Sequence, residues 1–238
     1  MSKIKYSIII PTFNERDNIV VLLSRIEELF AEKLDTLEVI VVDENSPDGT
    51  YDRVCDFAKG KKFISCEKNP FTPGLSQSVV HGFDIAKGDF LCCMDGDLQH
   101  DESVLPKMFE TAEENDMVIG SRYIEEGGFA DKWNPIRKAG SKMTILMTKI
   151  ILKIKVMDPM SGFFVIKKKA YDDVRGRLNP EGFKIMLEIF YNLKKVHPDA
   201  KVKEVGIFFR NRVAGDSKMS SKVVFTFAKM LFDLRRRP

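Results

Sequence analysis

Two carboxylates stand two residues apart in Asp95-Gly96-Asp97. Gly96, lacking a side chain, leaves room for a ligand to come close to the backbone. Without a counter-charge the acids repel, and a hard divalent cation such as Mg2+ or Mn2+ resolves that repulsion, completing its shell with phosphate oxygens and water. Gln99 adds a neutral oxygen of the right type two residues on. The same residues also fit a plain turn or a helix cap, where Asp is favoured for backbone reasons alone. A second acidic pair, Asp43-Glu44, suits the N–H donors of a base or the hydroxyls of a ribose. Followed by Ser46-Pro47-Asp48-Gly49, it equally fits a solvated turn. A third polar cluster is Pro11-Thr12-Phe13-Asn14-Glu15.

Each cluster ends an apolar run. The spacing predicts strands over Tyr6–Ile10, Leu37–Val42 and Phe90–Met94. It predicts helices over Asp17–Ala31, with Ile19, Leu22, Leu23, Ile26, Leu29 and Phe30 on one face, and over Thr50–Ala58 and Ser76–Ala86. Strands alternating with helices in this way form an open, mostly parallel α/β sheet, whose ligands bind beyond the carboxyl ends of the strands. All three clusters fall at that edge, a convergence that turn chemistry does not explain. Glu125–Pro135, with Gly127-Gly128 and the lone Trp133, is expected to be a long mobile loop over the site.

At 238 residues, 44% hydrophobic and 31% charged, the chain has the balance of a globule able to bury a core without disulfides or a structural metal. Cys55, Cys66, Cys92 and Cys93 form no CxxC pair, and Cys92-Cys93 lie in an apolar run, so they are expected to be small hydrophobes in a reducing compartment. No signal-peptide pattern and no apolar run long enough to span a bilayer is visible. There is no phosphate-binding G-x-x-x-x-G-K-[ST] loop, no G-x-G-x-x-G fingerprint and no Ser-His-Asp signature. His81, His100 and His197 match no zinc spacing and are expected to be structural or surface residues.

The ordered set of motifs resembles a known family. Ile8-Ile9-Ile10-Pro11-Thr12-Phe13-Asn14-Glu15-Arg16-Asp17-Asn18-Ile19, then Val41–Thr50, then Met94-Asp95-Gly96-Asp97-Leu98-Gln99-His100, resemble family 2 glycosyltransferases of GT-A fold. Gly120-Ser121-Arg122-Tyr123, Asp158–Phe164, Asn179–Lys184 and Arg212–Lys218 narrow the resemblance to the dolichyl-phosphate (polyprenyl-phosphate) mannose synthases. It covers nearly the whole chain in the right order. The resemblance implies a metal-dependent, inverting transfer of mannose from GDP-mannose to dolichyl or polyprenyl phosphate, with a UDP-glucose donor as the alternative. A non-catalytic binding module is disfavoured by the intact Asp95, Asp97 and Arg212.

Carried over by position, the resemblance implies that Pro11, Phe13, Glu15, Val42 and Glu44 line the nucleotide pocket, together with Asp95 and Gly96. It implies that Asp95, Asp97 and Gln99 hold Mg2+ or Mn2+, with Asp97 counted in the catalytic set. Arg122, on the mobile loop, and Arg137 would meet the acceptor phosphate, while Lys184, Arg212 and Lys218 would face donor or acceptor phosphates. The sequence departs from the family pattern twice: Glu44 stands where Asp is usual, and Gly74-Leu75-Ser76-Gln77-Ser78 replaces the commoner Gly-Leu-Gly-x-Ala. The first alters the reach toward the base by one methylene; the second alters the packing of the helix that follows. An acceptor phosphate is already anionic near neutral pH, so positioning cations matter more than a general base, and no base is assigned.

The net charge of +3 conceals a segregation: residues 132–157 hold seven Lys or Arg and no acid, and residues 201–238 hold ten against three acids. One face is therefore expected to meet an anion. Lys138, Lys142, Lys149, Lys153 and Lys155 add a basic stripe to an otherwise apolar segment containing Ile145, Leu146, Met147, Ile150, Ile151 and Ile154. Such a helix can lie among anionic headgroups, its lysines snorkelling to lipid phosphates; it equally fits a core helix with a solvated lysine face. Val223–Leu234 before Arg235-Arg236-Arg237 is a second candidate. No motif for nucleic acid is present, so the expected partners are a nucleotide sugar, a polyprenyl phosphate and an anionic membrane surface. The expectation is one GT-A domain over 1–238, with 138–157 and 222–237 as candidate interface helices, peripheral at the cytosolic face of a membrane.

Overall fold

The β-branched runs become the centre of a seven-stranded sheet. The computed structural model describes residues 3–71, 74–129, 135–180, 184–210 and 221–236, with backbone alone for 135–142, 221–226, 228 and 229. In chain order the elements are β1 (Tyr6–Thr12), α1 (Arg16–Leu29), β2 (Leu37–Asp43), α2 (Thr50–Ala58), β3 (Ile64–Lys68), α3 (Leu75–Ile85), β4 (Phe90–Cys93), α4 (Leu105–Glu114) and β5 (Met117–Ser121). There follow β6 (Gly128–Phe129), α5 (Pro135–Leu152), β7 (Phe164–Lys167), α6 (Lys168–Arg175), α7 (Ile185–Val196), β8 (Val202–Gly206), β9 (Phe208–Phe209) and α8 (Ser221–Arg236).

The sheet runs β3-β2-β1-β4-β7-β5-β8. β7 is antiparallel to both neighbours, and the other pairs are parallel. The carboxyl ends of β2, β1 and β4 are therefore adjacent, which brings the three polar clusters to one edge as expected. Alternation sends Ile8 and Ile10 into the core beneath α1 and α4, with Leu22, Ile26, Met108 and Phe109. It sends Ile9 to the opposite core, with Phe83 of α3, Tyr171 of α6 and Phe190 of α7. Burial on both faces is why these strands are continuous apolar runs rather than alternating ones. Cys92 and Cys93 are fully enclosed there, and burial pushes both thiols up, away from the reactive thiolate.

Two expectations are corrected. The stretch Glu125–Pro135 is partly regular: Gly128–Phe129 pairs in parallel with Phe208–Phe209, and the Gly128 N–H donates to the Ile207 carbonyl at 3.0 Å. α5 then begins at Pro135, and Trp133 lies outside the described residues. The lysine stripe is shorter than expected, because α5 ends at Leu152 and Lys153 adopts φ 55, a left-handed residue that stops the helix. Lys155 is therefore outside the helix.

Along α5 the apolar residues divide between two faces. Ile145 and Leu152 are buried, whereas Met143, Leu146 and Ile150 are 61%, 55% and 65% exposed. At about 100° per residue the exposed set points nearly opposite the buried one. The inner face belongs to a small core in which Leu152 joins Leu187 with Phe227, Leu231 and Leu234 of α8. Phe232 of α8 is itself 49% exposed. Among the described residues no helix is long and apolar enough to cross a membrane.

Candidate active site

Each strand end turns through a left-handed residue before its helix: Asn14 (φ 61), Asn45 (φ 57) and Leu98 (φ 61). Asn reaches this region by local hydrogen bonding, but for Leu98 it is a strained conformation worth about 1–2 kcal/mol. The loops after β1 and β2 are tied together. The Glu44 N–H donates to the Thr12 carbonyl at 2.9 Å, and the Asn14, Glu15 and Arg16 N–H groups donate to Ser46 Oγ, Thr50 Oγ1 and Asp48 Oδ2. The segment that resembles a solvated turn, Ser46–Thr50, thus supplies acceptors to the start of α1. Burial pushes the Asp48 carboxyl up, but hydrogen bonds from Thr50 and the Arg16 N–H outweigh it and hold it below its usual range.

Asp43 and Glu44 have different positions. Asp43 is fully buried and accepts from Thr12 Oγ1 (3.0 Å), Ser46 Oγ (2.7 Å) and Ser46 N (2.8 Å), so it braces the two loops and is not offered to a base or ribose. Glu44 is half-buried, and Ser78 Oγ donates to its Oε1 at 3.3 Å. The two departures from the family pattern therefore touch. Pro11 and Val42 are buried, register-paired strand residues, while Phe13 is 43% exposed beside them; Glu15 accepts from Asn18 Nδ2 at 2.8 Å.

Beyond β4, Asp97 is buried and its Oδ1 accepts the Gln99 N–H at 3.1 Å. The Asp95 N–H donates to His100 Nδ1 at 3.1 Å, which leaves the proton of a neutral His100 on Nε2, 3.8 Å from Asp95 Oδ2. The His100 ring stacks on Phe163, with centroids 5.2 Å apart. His100 is thus the structural residue expected, and it also fixes the backbone of Asp95. A Cβ on Gly162 would lie 3.3 Å from Asp95 Oδ2, and one on Gly96 would lie 3.2 Å from Thr12 Cγ2, so both glycines keep the carboxylate loop close-packed without a side chain intruding. Gln99 Nε2 donates to the Arg210 carbonyl at 3.1 Å and the Arg210 N–H returns to the Gln99 carbonyl at 2.8 Å, an amide orientation that turns Oε1 away from Arg210. Arg210 is anchored on Glu102 (2.6 Å) and Asp101 (2.8 Å).

Among the described residues no group of three or more His, Cys, Asp or Glu side chains converges. The set Asp95, Asp97 and Gln99 fits a hard cation of the Mg2+ or Mn2+ type that draws its remaining ligands from phosphate and water, because such ions commonly use only one or two carboxylates.

Of the phosphate-side residues, Arg122 and Lys184 are described, and both interact with Asp95 and Asp158. Arg122 is the first residue of the loop that joins β5 to β6, and it is anchored there: its side chain is 10% exposed, with Nε and Nη2 donating to Asp158 at 2.7 and 2.8 Å. Its guanidinium carbon lies 5.7, 5.8 and 5.1 Å from the ring centroids of Tyr123, Phe129 and Phe209. Asp158 also accepts the Arg122 N–H, and Glu204 on β8 holds the Met157 and Asp158 N–H groups. Neither acid was singled out from sequence. The signal available was an acid heading the Asp158–Phe164 motif immediately after a long acid-free stretch. Lys184 precedes α7 and is half-buried; desolvation, then repulsion from Arg122, push its ammonium down to about 8 against the pull of Asp95 and Asp158. The Arg137 side chain, Arg212 and Lys218 lie outside the described residues and side chains.

A seven-stranded, mostly parallel sheet with polar loops gathered at its carboxyl edge is a GT-A-like fold. The chain belongs to glycosyl transferase family 2, whose pattern it matches over residues 7–175. It is 38% identical to a dolichol-phosphate mannosyltransferase of Pyrococcus furiosus over 98% of this chain, and spans 64% of that protein's length. Proteins of the same description from Saccharomyces cerevisiae and Mycosarcoma maydis are 35% and 32% identical over 97% of this chain, which spans 87% and 79% of their lengths. Glucosyl-3-phosphoglycerate synthase from Mycobacterium tuberculosis, solved with Mn2+, UDP and phosphoglyceric acid, superposes with a TM-score of 0.71. That match covers 98% of this chain and 79% of the other, and at 14% identity it speaks to the fold alone.

Proposed function

We propose that the chain transfers a mannosyl residue from GDP-mannose to dolichyl or another polyprenyl phosphate, releasing GDP. A bond forms between an acceptor phosphate oxygen and the anomeric carbon on the face opposite the departing diphosphate, and the bond from that carbon to the GDP oxygen breaks, so configuration inverts. The observation that carries this reading is the 32–38% identity to three dolichol-phosphate mannosyltransferases over nearly the whole chain. Pro11, Phe13, Glu15, Val42 and Glu44 would line the nucleoside, and Asp95, Asp97 and Gln99 would hold Mg2+ or Mn2+. When bound, the cation supplies the charge that stabilises the leaving diphosphate. Arg122 presents Nη1, the end of its fork that Asp158 does not engage, toward an acceptor phosphate, joined by Arg137 and Lys218; Lys184 and Arg212 face the donor's phosphates. Their work is orientation.

The reading extends to one catalytic domain over 1–238 that sits at the cytosolic face of a membrane. The exposed Met143, Leu146 and Ile150 beside Lys149 and Lys153 support that placement, because an apolar face flanked by lysines matches an anionic lipid interface. The test is a donor panel with a polyprenyl phosphate acceptor. GDP-mannose is expected to be used fastest, and faster turnover of UDP-glucose or UDP-N-acetylglucosamine overturns the donor assignment.

A further inference from the structure

We propose that Ser78 and Asn69 are positioning residues that aim the Glu44 carboxylate at the edge of the donor's nucleobase and thereby select guanine over uracil. This rests on the nucleotide-donor reading of the same strand-end site. The three side chains form a relay of one polarity. Asn69 Nδ2 donates to Ser78 Oγ at 3.1 Å, and Ser78 Oγ in turn donates its one hydrogen bond to Glu44 Oε1 at 3.3 Å. Asn69 is fixed at both ends in turn, its N–H donating to the Asp43 carbonyl at 2.8 Å and its Oδ1 accepting the Phe71 N–H at 3.0 Å. Ser78 is 0% and Asn69 3% exposed, so water does not compete for the bond between them, while Glu44 remains half-buried.

The sequence departures explain one another on this geometry. Glu carries one more methylene than Asp, hence one more torsion to order on binding. Ser78, placed on the first turns of α3, offers the hydroxyl that restrains it, which an alanine at that position cannot do. A fixed carboxylate is a planar double acceptor. Guanine presents two adjacent donors, its N1–H and its 2-amino group, which match both oxygens. Uracil presents one N3–H flanked by two carbonyl oxygens, which a carboxylate repels. Discrimination by a bidentate pair of this kind is about 10- to 100-fold.

The test is calorimetry of the full chain with GDP, IDP and UDP in the presence of Mn2+. Wild type is expected to bind GDP about tenfold more tightly than IDP, which lacks the 2-amino donor, and UDP more weakly still. Ser78→Ala is expected to lower GDP affinity by about tenfold while UDP affinity moves less than about twofold, and Ser78→Thr to restore the ratio. In a Glu44→Gln background, Ser78→Ala should change the ratio no further, since the group it positions is gone. Equal affinities for GDP and IDP in wild type, or parallel losses for GDP and UDP in Ser78→Ala, overturn the relay while leaving the donor reading intact. Absence of binding by every nucleotide removes the donor reading and the relay with it.

Discussion

Around Asp43 and Asp48 polar groups are closed on one another, whereas along α5 apolar groups are left open. The ends of β1 and β2 with the loops that follow are joined by five hydrogen bonds, two more close the second upon itself, and the acid at their centre is fully buried. The outer face of α5 instead carries Met143, Leu146 and Ile150, each more than half exposed. The first arrangement is pre-organised: its geometry exists before a ligand arrives, and binding need not order it. The second is unfinished, since apolar side chains at that exposure gain free energy only when something covers them. The Arg122–Asp158 pair is a junction in the chain: it is buried like the first region, and the chain reaches Asp158 as it returns from the second.

The largest effect is expected at that junction. Asp158→Asn leaves the Arg122 charge buried without its partner and should lower unfolding free energy by about 3–5 kcal/mol, read from thermal or urea melts. Arg122→Gln should cost a similar amount, and the double variant less than the sum of the two. Additive losses would show that the pair does not join the regions. At the neighbouring end of β4, Asp97→Asn should reduce transfer by about 10²–10³-fold and abolish its stimulation by Mn2+. An unchanged metal titration would remove Asp97 from the cation site. In the open region, Ile150→Asp should weaken flotation with anionic vesicles by about 1.5–3 kcal/mol while turnover of a short, water-soluble acceptor stays constant. If turnover on that acceptor falls in parallel, α5 belongs to the catalytic half.

Lys184 gives a prediction in pH. Its ammonium is pushed down to about 8 in the folded protein from 10.5, so between these values the unfolded chain holds more protons and stability rises with pH. Diphosphate binding reverses the sign. An anion beside Lys184 favours its charged form, so binding takes up a proton above pH 8, and affinity should fall there by no more than about tenfold per pH unit. Proton uptake measured by calorimetry in two buffers checks this; a flat profile from pH 7 to 10 excludes Lys184 from the phosphates. The smallest effect is electrostatic: Lys149→Gln should weaken vesicle binding by about 1 kcal/mol at low salt, a difference that salt erases.

The strand-end clusters were legible because polar turn residues directly follow β-branched runs, and both signals are local. The helix over Thr50–Ala58 was legible to the residue, and of the face expected for α1, Ile19, Leu22, Leu23, Ile26 and Phe30 are buried while Leu29 is exposed. What escaped is set by pairing across the sequence. Asp43 offers the same acceptors as Glu44, and only the approach of Thr12 and Ser46 reveals that one is spent and the other presented. Arg122 is a loop residue, and nothing local shows that it is buried and anchored on Asp158, 36 residues away. β7 has no signal of its own direction, and the two-residue β6 has too few residues to show a period.

Because β7 is antiparallel, its chain enters the sheet at the edge where β1, β2 and β4 leave it, with Phe164 in register with Cys93. Evolution meets this as a constraint on length. One residue inserted between Lys153 and Phe163 adds about 3.3 Å of chain at the edge that carries Asp158 and Gly162, and their fit to Arg122 and Asp95 tolerates no such slack. The turn at Gly60 lies at the opposite edge with nothing within 4 Å of its Cβ position. Insertions and deletions among relatives should therefore gather around Gly60 and spare 153–163, so that the site is guarded by the count of residues as well as by their identity.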